Sequence, residues 1–259
     1  MTDINNFLNI ARSAAMKAGE AILQIYSSGD FGIEMKSDHS PLTLADSAAH
    51  SIIKSELAQT GLPFLSEEGR SIGYDERKEW DFFWLVDPLD GTKEFIKRTG
   101  EFTVNIALMK KNVPIAGIIY APSIDVLYYG SNETNVFKVE KGKETQLSAV
   151  KQKRTLEELR EKNGITVVAS KSHSNEETTA FINQFQNANL SSMGSSLKLM
   201  LLAEGAADIY PRLAPTMEWD TAAGDAILRS LNMCVYQTDL VSPLEYNKPD
   251  LLNPSFIAL

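Results

Sequence analysis

Residues 82–95, FFWLVDPLDGTKEF, contain the strongest signals for both the fold and the function of this chain. The first five residues are all apolar, which predicts a strand that is buried on both faces. Pro88 is expected to end that strand, because proline has no amide hydrogen to donate to a neighbouring strand. The chain must then turn, and two aspartates and a glycine occupy the turn.

The turn after this strand has the composition of a metal site. The side chains of Asp87 and Asp90 and the backbone carbonyl of Leu89 are expected to converge on one point. Hard oxygen ligands without histidine or cysteine suit Mg²⁺ or Mn²⁺ rather than zinc. Gly91 and Thr92 then offer backbone N–H groups to an anionic oxygen, and a hydroxyl to orient water. The alternative is an exposed Asp-Gly turn between two strands.

Further carboxylates occur at the ends of other predicted elements. Glu67 and Glu68 follow the short apolar stretch 62–65, which predicts another strand. Glu68 is expected to support Glu67 rather than to bind a metal. Asp220 opens a predicted helix rich in small residues, where its alternative role is that of an N-cap. With the two aspartates of the turn, Glu67 and Asp220 form the set of acids that a two-metal phosphatase site needs, with metals ~3.5–4 Å apart.

These residues and several short motifs resemble those of the lithium-sensitive phosphatase superfamily, which includes inositol monophosphatase and fructose-1,6-bisphosphatase. The resemblance covers nearly the whole chain except its C-terminal end. Within the superfamily, DGTKEF at 90–95 is similar to the 3'(2'),5'-bisphosphate nucleotidases rather than to the inositol branch. ASKSH at 169–173, GSSLK at 194–198 and YPR at 210–212 resemble the same branch. The resemblance implies an α/β (α+β) fold, a layered α-β-α-β-α sandwich.

The resemblance implies two metal positions that share one aspartate. One ion would be held by Glu67, Asp87 and the Leu89 carbonyl, and it would lower the pKa of the attacking water. The second would be held by Asp87, Asp90 and Asp220, and it would stabilise the leaving ribose oxygen. Two or three Mg²⁺ ions are expected at the site, with Mn²⁺ as a substitute.

The general base is also assigned by resemblance. Asp46, at the start of a predicted helix, would accept the proton of Thr92 while Thr92 polarises the water, a relay worth ~10²–10⁴ in rate. Without the resemblance, Asp46 reads as a surface acid favoured by the helix dipole. Glu67 is a rival or partner base through the same water, and the sequence does not choose between them. Lys36, in the turn before that helix, is equally well explained as a solvated lysine.

A set of polar residues in the second half is expected to contact the substrate. Ser195, Lys198 and Arg212 would bind its second phosphate or ribose, and arginine suits phosphate through its bidentate fork. His173 would stack near the adenine, although a polar loop histidine is the simpler reading. The full predicted set of substrate-binding residues is Glu67, Leu89, Asp90, Gly91, Thr92, His173, Ser195, Lys198, Arg212 and Asp220.

Composition limits the class of protein. The 259 residues carry a net charge of −9, which argues against a nucleic-acid polymer as partner because such a surface is basic. It does not exclude a small phosphorylated nucleotide, since bound cations reverse the local charge. Cys234 is the only cysteine, so no disulfide forms within the chain and a cytoplasmic location is expected. No apolar run reaches the length of a membrane span, and the peripheral inner-membrane association that the resemblance allows has no amphipathic or lipid motif here.

The periodicity of apolar residues predicts two halves. In the first, helices are expected at 4–27 and 43–60, and strands at 63–66, 82–87, 102–109, 113–120, 125–130 and 134–139. After the polar stretch 151–163, a strand is expected at 165–169, followed by helices at 175–187 and 195–204, a strand at 207–211 and a helix at 219–231. The predicted domains are 1–150, which carries most metal ligands, and 151–259, which supplies Asp220 and substrate contacts. The site is therefore expected between the halves.

The expected activity is hydrolysis of the 3'-phosphate of adenosine 3',5'-bisphosphate, giving AMP and phosphate. Attack would be in line and without a phosphoenzyme, because no serine or cysteine nucleophile is evident beside a base. One alternative is an inositol monophosphatase or another small sugar-phosphate phosphatase, which would share every metal ligand. An alternative of another class is a non-catalytic sensor that binds metal or nucleotide. The oligomeric state is left open.

Overall fold

The computed structural model describes residues 3–36, 41–151, 154–169 and 175–259. The helices of this part of the chain are α1 (Ile4–Ser28), α2 (Leu44–Leu57), α3 (Tyr74–Arg77), α4 (Thr92–Ile96), α5 (Leu156–Glu161), α6 (Glu176–Ile182), α7 (Leu197–Ala203) and α8 (Glu218–Ser230), with single turns of 3₁₀ helix at Ala58–Thr60 and Pro122–Ile124. The strands are β1 (Glu34–Met35), β2 (Pro41–Leu42), β3 (Phe64–Ser66), β4 (Phe82–Asp90), β5 (Thr103–Lys110), β6 (Val113–Ala121), β7 (Val126–Ser131), β8 (Val136–Glu140), β9 (Lys143–Leu147), β10 (Thr166–Ala169), β11 (Asn189–Ser192), β12 (Tyr210–Arg212), β13 (Thr216–Met217), β14 (Val235–Gln237), β15 (Leu252–Asn253) and β16 (Phe256–Ala258).

The main sheet has seven strands in the order β3-β4-β5-β6-β7-β8-β9. β3 runs parallel to β4, and every other neighbouring pair is antiparallel. The strands that follow β4 are joined by short connections, so each lies beside its neighbour in sequence. The predicted hairpin across 102–120 is confirmed by the pairing of Lys110 with Val113.

β4 is buried on both faces, as its apolar run predicts. Phe83 and Leu85 belong to the hydrophobic core on one face of the sheet, and Trp84 and Val86 belong to the core on the other. This alternation follows from the two-residue period of a strand. The position of β4 in the middle of the fold therefore fixes where its C-terminal aspartates lie.

The prediction that Pro88 ends the strand is wrong. β4 continues to Asp90, and the pairing with β5 changes register on the way: Asp87 pairs with Asn105, and Asp90 pairs with Thr103. Three steps along β4 therefore face two steps along β5, which is a bulge with one extra residue. A proline is tolerated at such a bulge because the missing N–H is not needed for the ladder.

The layers form the predicted α-β-α-β-α sandwich, so the fold class is confirmed. α1 and α2 pack on one face of the main sheet, and α7 and α8 pack on the other. A second group of strands follows: β12-β16-β14 form one small sheet, and the parallel pair β10-β11 joins it through a bridge from Val167 to Ile209. α5 and α6 cover the outer side of this layer around Ile165, Phe185 and Ile257.

α8 lies unusually close to the main sheet. A Cβ atom added to Gly117 on β6 would be 2.1 Å from the backbone oxygen of Ala223 on α8. A side chain at that position is therefore excluded unless the helix moves away. Because α8 carries Asp220 near its N-terminus, this contact brings the second half of the chain against the sheet that carries Asp87.

Some predicted bounds are wrong in the second half. The helix expected at 175–187 ends at Ile182, because Gln184 and Phe185 donate to carbonyls only three residues earlier and begin a series of turns. Phe185 is nevertheless buried, so its apolar spacing extended the prediction too far. The C-terminal strands β13 to β16 were not predicted at all. The domain boundary near residue 150 stays a prediction, although the core around α8 takes side chains from both halves.

None of the described helices combines the length and the apolar character needed to cross a membrane.

Candidate active site

The bulge at the end of β4 shapes the first part of the site. The backbone N–H of Leu89 donates to Oδ1 of Asp87 at 3.0 Å. Gly91 then has φ +90°, in the left-handed region that favours glycine. A Cβ atom there would lie 3.0 Å from the backbone oxygen of Glu101, so a larger residue would push the turn off its neighbour. The turn is therefore fixed both by its own conformation and by the strand segment behind it.

Three predicted metal ligands lie together at this turn. One carboxylate oxygen from each of Asp87, Asp90 and Asp220 can be chosen so that all three lie within 4.8 Å of one another. Burial, followed by the charges of Glu67 and Asp90, raises the pKa of Asp87 well above its ordinary value. Burial and then Asp90 likewise raise the pKa of Asp220. The arrangement is unfavourable for three negative charges and is stabilised by a cation.

Asp90 is held in place by polar side chains from two distant parts of the chain. Its Oδ2 atom lies 2.6 Å from the Ser195 hydroxyl, 2.9 Å from the Ser196 hydroxyl and 3.4 Å from Nδ2 of Asn105. Asn105 also donates to Ser196 at 2.7 Å. Oδ2 is thus surrounded by neutral donors, and these leave the negative charge of Asp90 uncompensated.

Asp220 is inside α8 rather than at its cap. The helix begins at Glu218 with Met217 as the preceding residue, and the backbone N–H of Met217 donates to Oδ2 of Asp220 at 2.9 Å. The N-cap alternative is therefore wrong, because Asp220 is the third residue of the helix. It acts as the reciprocal partner of the cap, which fixes its rotamer and faces it toward the cavity.

Glu67 lies beside the three aspartates and is paired with a lysine. Nζ of Lys36 is 2.8 Å from Oε1 of Glu67 and also contacts Glu68. Burial lowers the pKa of Lys36, but the two glutamates raise it more, so the net shift is upward. For Glu67, burial raises the pKa and Lys36 lowers it, with a net upward shift. Lys36 is thus a partly buried ion-pair partner, and the reading of a solvated lysine is wrong.

The predicted contact between Asp46 and Thr92 is present. The Thr92 hydroxyl is 3.2 Å from Oδ1 of Asp46 and 3.3 Å from the carbonyl of Leu89. Oδ2 of Asp46 accepts from the backbone N–H of Thr43 at 2.7 Å and from its hydroxyl at 2.5 Å. Asp46 is buried, so the reading of a surface acid is wrong. Burial raises its pKa while the bonds from Thr43 lower it, with a net upward shift.

A cavity of about 310 Å³ opens beside the acidic cluster, between the two halves of the chain. Its lining includes Asp90 and Asp220 together with Lys198, Tyr210 and Arg212. The charged residues Glu94, Glu101 and Lys97 also line it. The cavity therefore presents carboxylates and cations to the same space. A phosphorylated ligand with two anionic groups fits such a distribution of charge.

Lys198 and Arg212, two of the three basic residues that line this cavity, are held by backbone carbonyls. The Lys198 ammonium donates to the carbonyls of Ser195 at 2.7 Å and Met193 at 3.3 Å. Burial lowers the pKa of Lys198, Asp90 raises it and Arg212 lowers it, with a net downward shift. The Arg212 guanidinium donates to the carbonyl of Pro215 at 3.1 Å, and its buried Nε has no hydrogen-bond partner among the described residues. Both side chains retain donors for a ligand.

The predicted set of site residues is brought together with one exception. His173 lies outside the described residues. The pairing of Asn105 and Thr103 with the serines of the GSSLK motif was not predicted. Thr103 and Asn105 lie two residues apart on strand β5, which is buried except at Lys110, and Thr103 contacts Ser195. The sequence signal that could have revealed this contact is a pair of polar residues, two positions apart, in an otherwise apolar strand.

The donor set agrees with a hard divalent cation. The ligand atoms on offer are carboxylate oxygens and the Leu89 carbonyl, and burial, followed by the charges of nearby acids, raises the pKa values of Asp87 and Asp220. Oxygen-only ligation suits Mg²⁺ and Mn²⁺. The residues present therefore fit a metal-dependent phosphatase.

Comparison with known proteins agrees with this geometry. A model of the inositol monophosphatase family matches residues 3–258. The 3'(2'),5'-bisphosphate nucleotidase CysQ of Escherichia coli strain K12 is 42% identical over 246 residues, which cover 93% of this chain and 95% of that protein. CysQ of Haemophilus influenzae is 34% identical over 256 residues, which cover 97% of this chain and 92% of that protein. A crystal structure of CysQ from Bacteroides thetaiotaomicron matches 97% of this chain and 96% of its own, with 47% identity and a TM-score of 0.82.

Proposed function

Because the chain belongs to the inositol monophosphatase family, we propose that it is a Mg²⁺-dependent 3'(2'),5'-bisphosphate nucleotidase. It hydrolyses adenosine 3',5'-bisphosphate to AMP and phosphate, the class of reaction named for its CysQ relatives. The observation that carries the proposal is the shared cavity, in which Asp90 and Asp220 face the same space as Lys198 and Arg212. A substrate with a reacting phosphate and a second phosphate needs acids that can hold cations at the first and basic side chains that bind the second.

The acids would hold the divalent cations that the proposed reaction uses. Asp87, Asp90 and Asp220 would bind one ion, and Glu67, Asp87 and the Leu89 carbonyl would bind another. When bound, divalent cations supply Lewis acidity to the water and to the phosphate oxygens. The identity of the ion as Mg²⁺ and the presence of two or three ions are part of the proposal. Mn²⁺ is the expected substitute because it accepts the same ligands.

The chain activates water through a threonine. The Thr92 hydroxyl donates its hydrogen to Oδ1 of Asp46, so its oxygen lone pairs face away and accept a hydrogen from the attacking water. Proton transfer from water to Thr92 and from Thr92 to Asp46 leaves the water oxygen nucleophilic. Burial raises the pKa of Asp46, which makes it a better base. Glu67 stays the rival base, because burial raises its pKa as well, although its ion pair with Lys36 opposes that shift.

The turn after β4 holds the phosphate in position. The backbone N–H groups of Gly91 and Thr92 would bind phosphate oxygens as charge develops on them. Water then attacks phosphorus from the side opposite the ribose oxygen, and the bond from phosphorus to that oxygen breaks. Asp87, Asp90 and Asp220 would hold the cation that stabilises the leaving ribose oxygen. No covalent intermediate on the enzyme is required.

The second phosphate is bound on the cationic side of the cavity. Lys198 and Arg212 would donate to it, and Ser195, whose hydroxyl is within 2.6 Å of Asp90, would lie between the two phosphates or against the ribose. The guanidinium Nε without a partner gains one on binding. His173 as a neighbour of the adenine stays a prediction.

We propose the cytoplasm as the compartment. The single cysteine, Cys234, is buried. Because one cysteine cannot form a disulfide within the chain, folding of the protein needs no oxidising environment. Association with the inner membrane has no support among the described residues.

The test of the proposed function is phosphate release from adenosine 3',5'-bisphosphate and from inositol 1-phosphate, measured side by side at saturating Mg²⁺. We expect a large preference for the nucleotide. Equal or reversed rates would contradict the nucleotide assignment and favour a sugar-phosphate phosphatase with the same ligands. Binding of both compounds without release of phosphate would favour a sensor.

A further inference from the structure

A buried carboxylate outside the metal cluster lies two residues before Asp220. Glu218 is the first residue of α8 and is completely buried. Its Oε2 accepts from the backbone N–H of Asn247 at 2.6 Å, and its Oε1 accepts from the backbone N–H of Lys248 at 3.1 Å. The ammonium of Lys248 also binds Oε1. The start of α8 is therefore tied to a C-terminal segment in which the sequence shows no motif.

The same C-terminal segment is tied to the other side of the site by a buried arginine. Arg77, at the end of α3, donates to Oδ1 of Asn247 at 2.6 Å and to the carbonyl of Lys248 at 3.0 Å. Asn247 donates back to the carbonyl of Arg77 at 3.0 Å. A further bond joins Nε of Arg77 to the carbonyl of Ile72. Arg77 therefore connects the chain that follows Glu67 to the chain that holds Glu218.

The C-terminal segment also makes backbone and side-chain hydrogen bonds to the first turn of α8. The N–H of Glu218 donates to the carbonyl of Leu251 at 2.9 Å. The side chain of Asn253 donates to the carbonyl of Met217 at 2.9 Å and to the Thr221 hydroxyl at 3.0 Å. Met217 is the residue whose N–H fixes the Asp220 carboxylate. Each contact therefore restrains the position from which Asp220 reaches the cavity.

We propose that Arg77, Asn247 and Glu218 are positioning residues that hold Asp220 in place against Asp87 and Asp90. A restraint is needed because like charges within 4.8 Å repel one another and would push α8 away from the sheet before a cation binds. A buried ionic network is weak evidence for stability, and an apolar replacement would often be as stable. Its exact hydrogen bonds instead fix geometry, as outer partners of metal ligands do.

The inference rests on the proposed function for one point, that Asp220 is a cation ligand. It goes beyond that function by assigning the placement of Asp220 to residues that touch neither substrate nor cation. The chain of contacts crosses both predicted domains, so it also determines how the halves meet at the site.

The test is direct binding of Mn²⁺ to the intact protein without substrate, followed by electron paramagnetic resonance of the free ion. In Arg77→Lys, a single ammonium replaces a guanidinium that serves several acceptors. We expect Mn²⁺ affinity to fall by about tenfold. The matched control is Arg70→Lys, because Arg70 forms an exposed ion pair with Glu76 and should leave Mn²⁺ affinity unchanged. Thermal unfolding of both variants separates lost binding from lost folding.

A second variant protects the test against failure to fold. Lys248→Met removes the ammonium from Glu218 at a position that is only partly buried, and it should weaken Mn²⁺ binding in the same direction. Folded Arg77→Lys or Lys248→Met protein that binds Mn²⁺ like the wild type would overturn the inference. Asp220→Asn is measured in parallel. If it binds as tightly as the wild type, the metal assignment of the proposed function is itself wrong.

Discussion

Two groups of opposite charge face the cavity, and each group is held by uncharged hydrogen-bond partners. We call Asp90 and Asp220, together with the adjacent Asp87, the acidic wall, and Lys198 and Arg212 the cationic wall. The side chains of Glu94, Glu101 and Lys97 also line the cavity. Neutral hydroxyl and backbone N–H donors hold the acidic wall. Backbone carbonyls hold the cationic wall. Among the described residues, none of the five side chains of the two walls forms an ion pair within 4.0 Å.

Two other buried carboxylates are each paired with a cation. Glu218 is paired with Lys248, and Asp225 with Arg229 at 3.0 Å. A buried charge normally requires such a partner because desolvation is costly. The two walls keep their charges without one. Within the described part of the chain, buried Asp46 and Arg77 also lack an ion pair, so the walls are marked as binding surfaces because their unpaired charges also line the cavity. Each wall is completed only by a ligand of the opposite sign.

The largest effect is expected when the acidic wall is broken. Asp90→Asn removes one charge with little change of shape, and loss of several kcal/mol of cation-dependent stabilisation should lower kcat on the order of 10⁴-fold. The fold should be spared, and without Mg²⁺ the variant should unfold at the same or a higher Tm, because one repulsive charge is gone. Near-normal turnover would contradict the metal assignment.

A smaller fall in kcat is expected when the residue that activates the water is changed. Thr92→Val removes the hydroxyl that contacts Asp46, and loss of the proton relay should lower kcat by about 10³-fold with little change in KM. Thr92→Ser is the matched control, since it keeps the hydroxyl and should keep most of the activity. Single-turnover phosphate release at saturating Mg²⁺ measures both. If valine and serine were equally active, water would be activated elsewhere, with Glu67 as the first candidate.

The cationic wall should affect affinity more than chemistry. Lys198→Met should raise KM for adenosine 3',5'-bisphosphate by roughly tenfold or more, since a charged hydrogen bond is worth about 1.5–3 kcal/mol. The exposed Lys110 offers a control, and Lys110→Met should leave KM unchanged. A fall in kcat at unchanged KM would instead indicate that Lys198 serves only to support the loop of Ser195.

The smallest effect is on stability, and its sign follows from the raised pKa values. Asp87 and Asp220 have an ordinary pKa of 3.8 in the unfolded chain and a higher pKa when folded. The folded state therefore binds more protons, and the free energy of unfolding without Mg²⁺ should fall as pH rises above about 3.8. Urea unfolding at several pH values checks this. Mg²⁺ should remove the fall, and a metal-free protein that gains stability over that range would contradict the account.

The acidic wall was largely predictable from the sequence. Asp87 and Asp90 come within a few residues of the apolar run of β4, so this one local pattern predicts where both lie. Asp220 was proposed from its position at the start of a predicted helix. The family resemblance, confirmed by the family model and the CysQ relatives, added the layered fold and the division of the acids between two metal positions. Pro88 was misread because a bulge tolerates proline, and a bulge is visible only when the partner strand β5 is known.

The supports of the site could not be predicted in the same way. Ser196 meets Asp90 from 106 positions away, and Arg77 meets Asn247 from 170 positions away. Periodicity reports which face of an element is buried, but it does not report which distant element covers that face. The C-terminal strands were missed for a related reason, because strands of two or three residues are too short to show a period.

The most direct test of the two-wall account compares two substrates in two proteins. kcat/KM is measured for adenosine 3',5'-bisphosphate and for adenosine 3'-monophosphate, which lacks the second phosphate, in the wild type and in Arg212→Met. The account predicts that the wild type prefers the bisphosphate and that the preference falls by roughly tenfold or more in the variant, while hydrolysis of the monophosphate changes little. An equal preference in both proteins would contradict it, because the second phosphate would then be bound without the cationic wall.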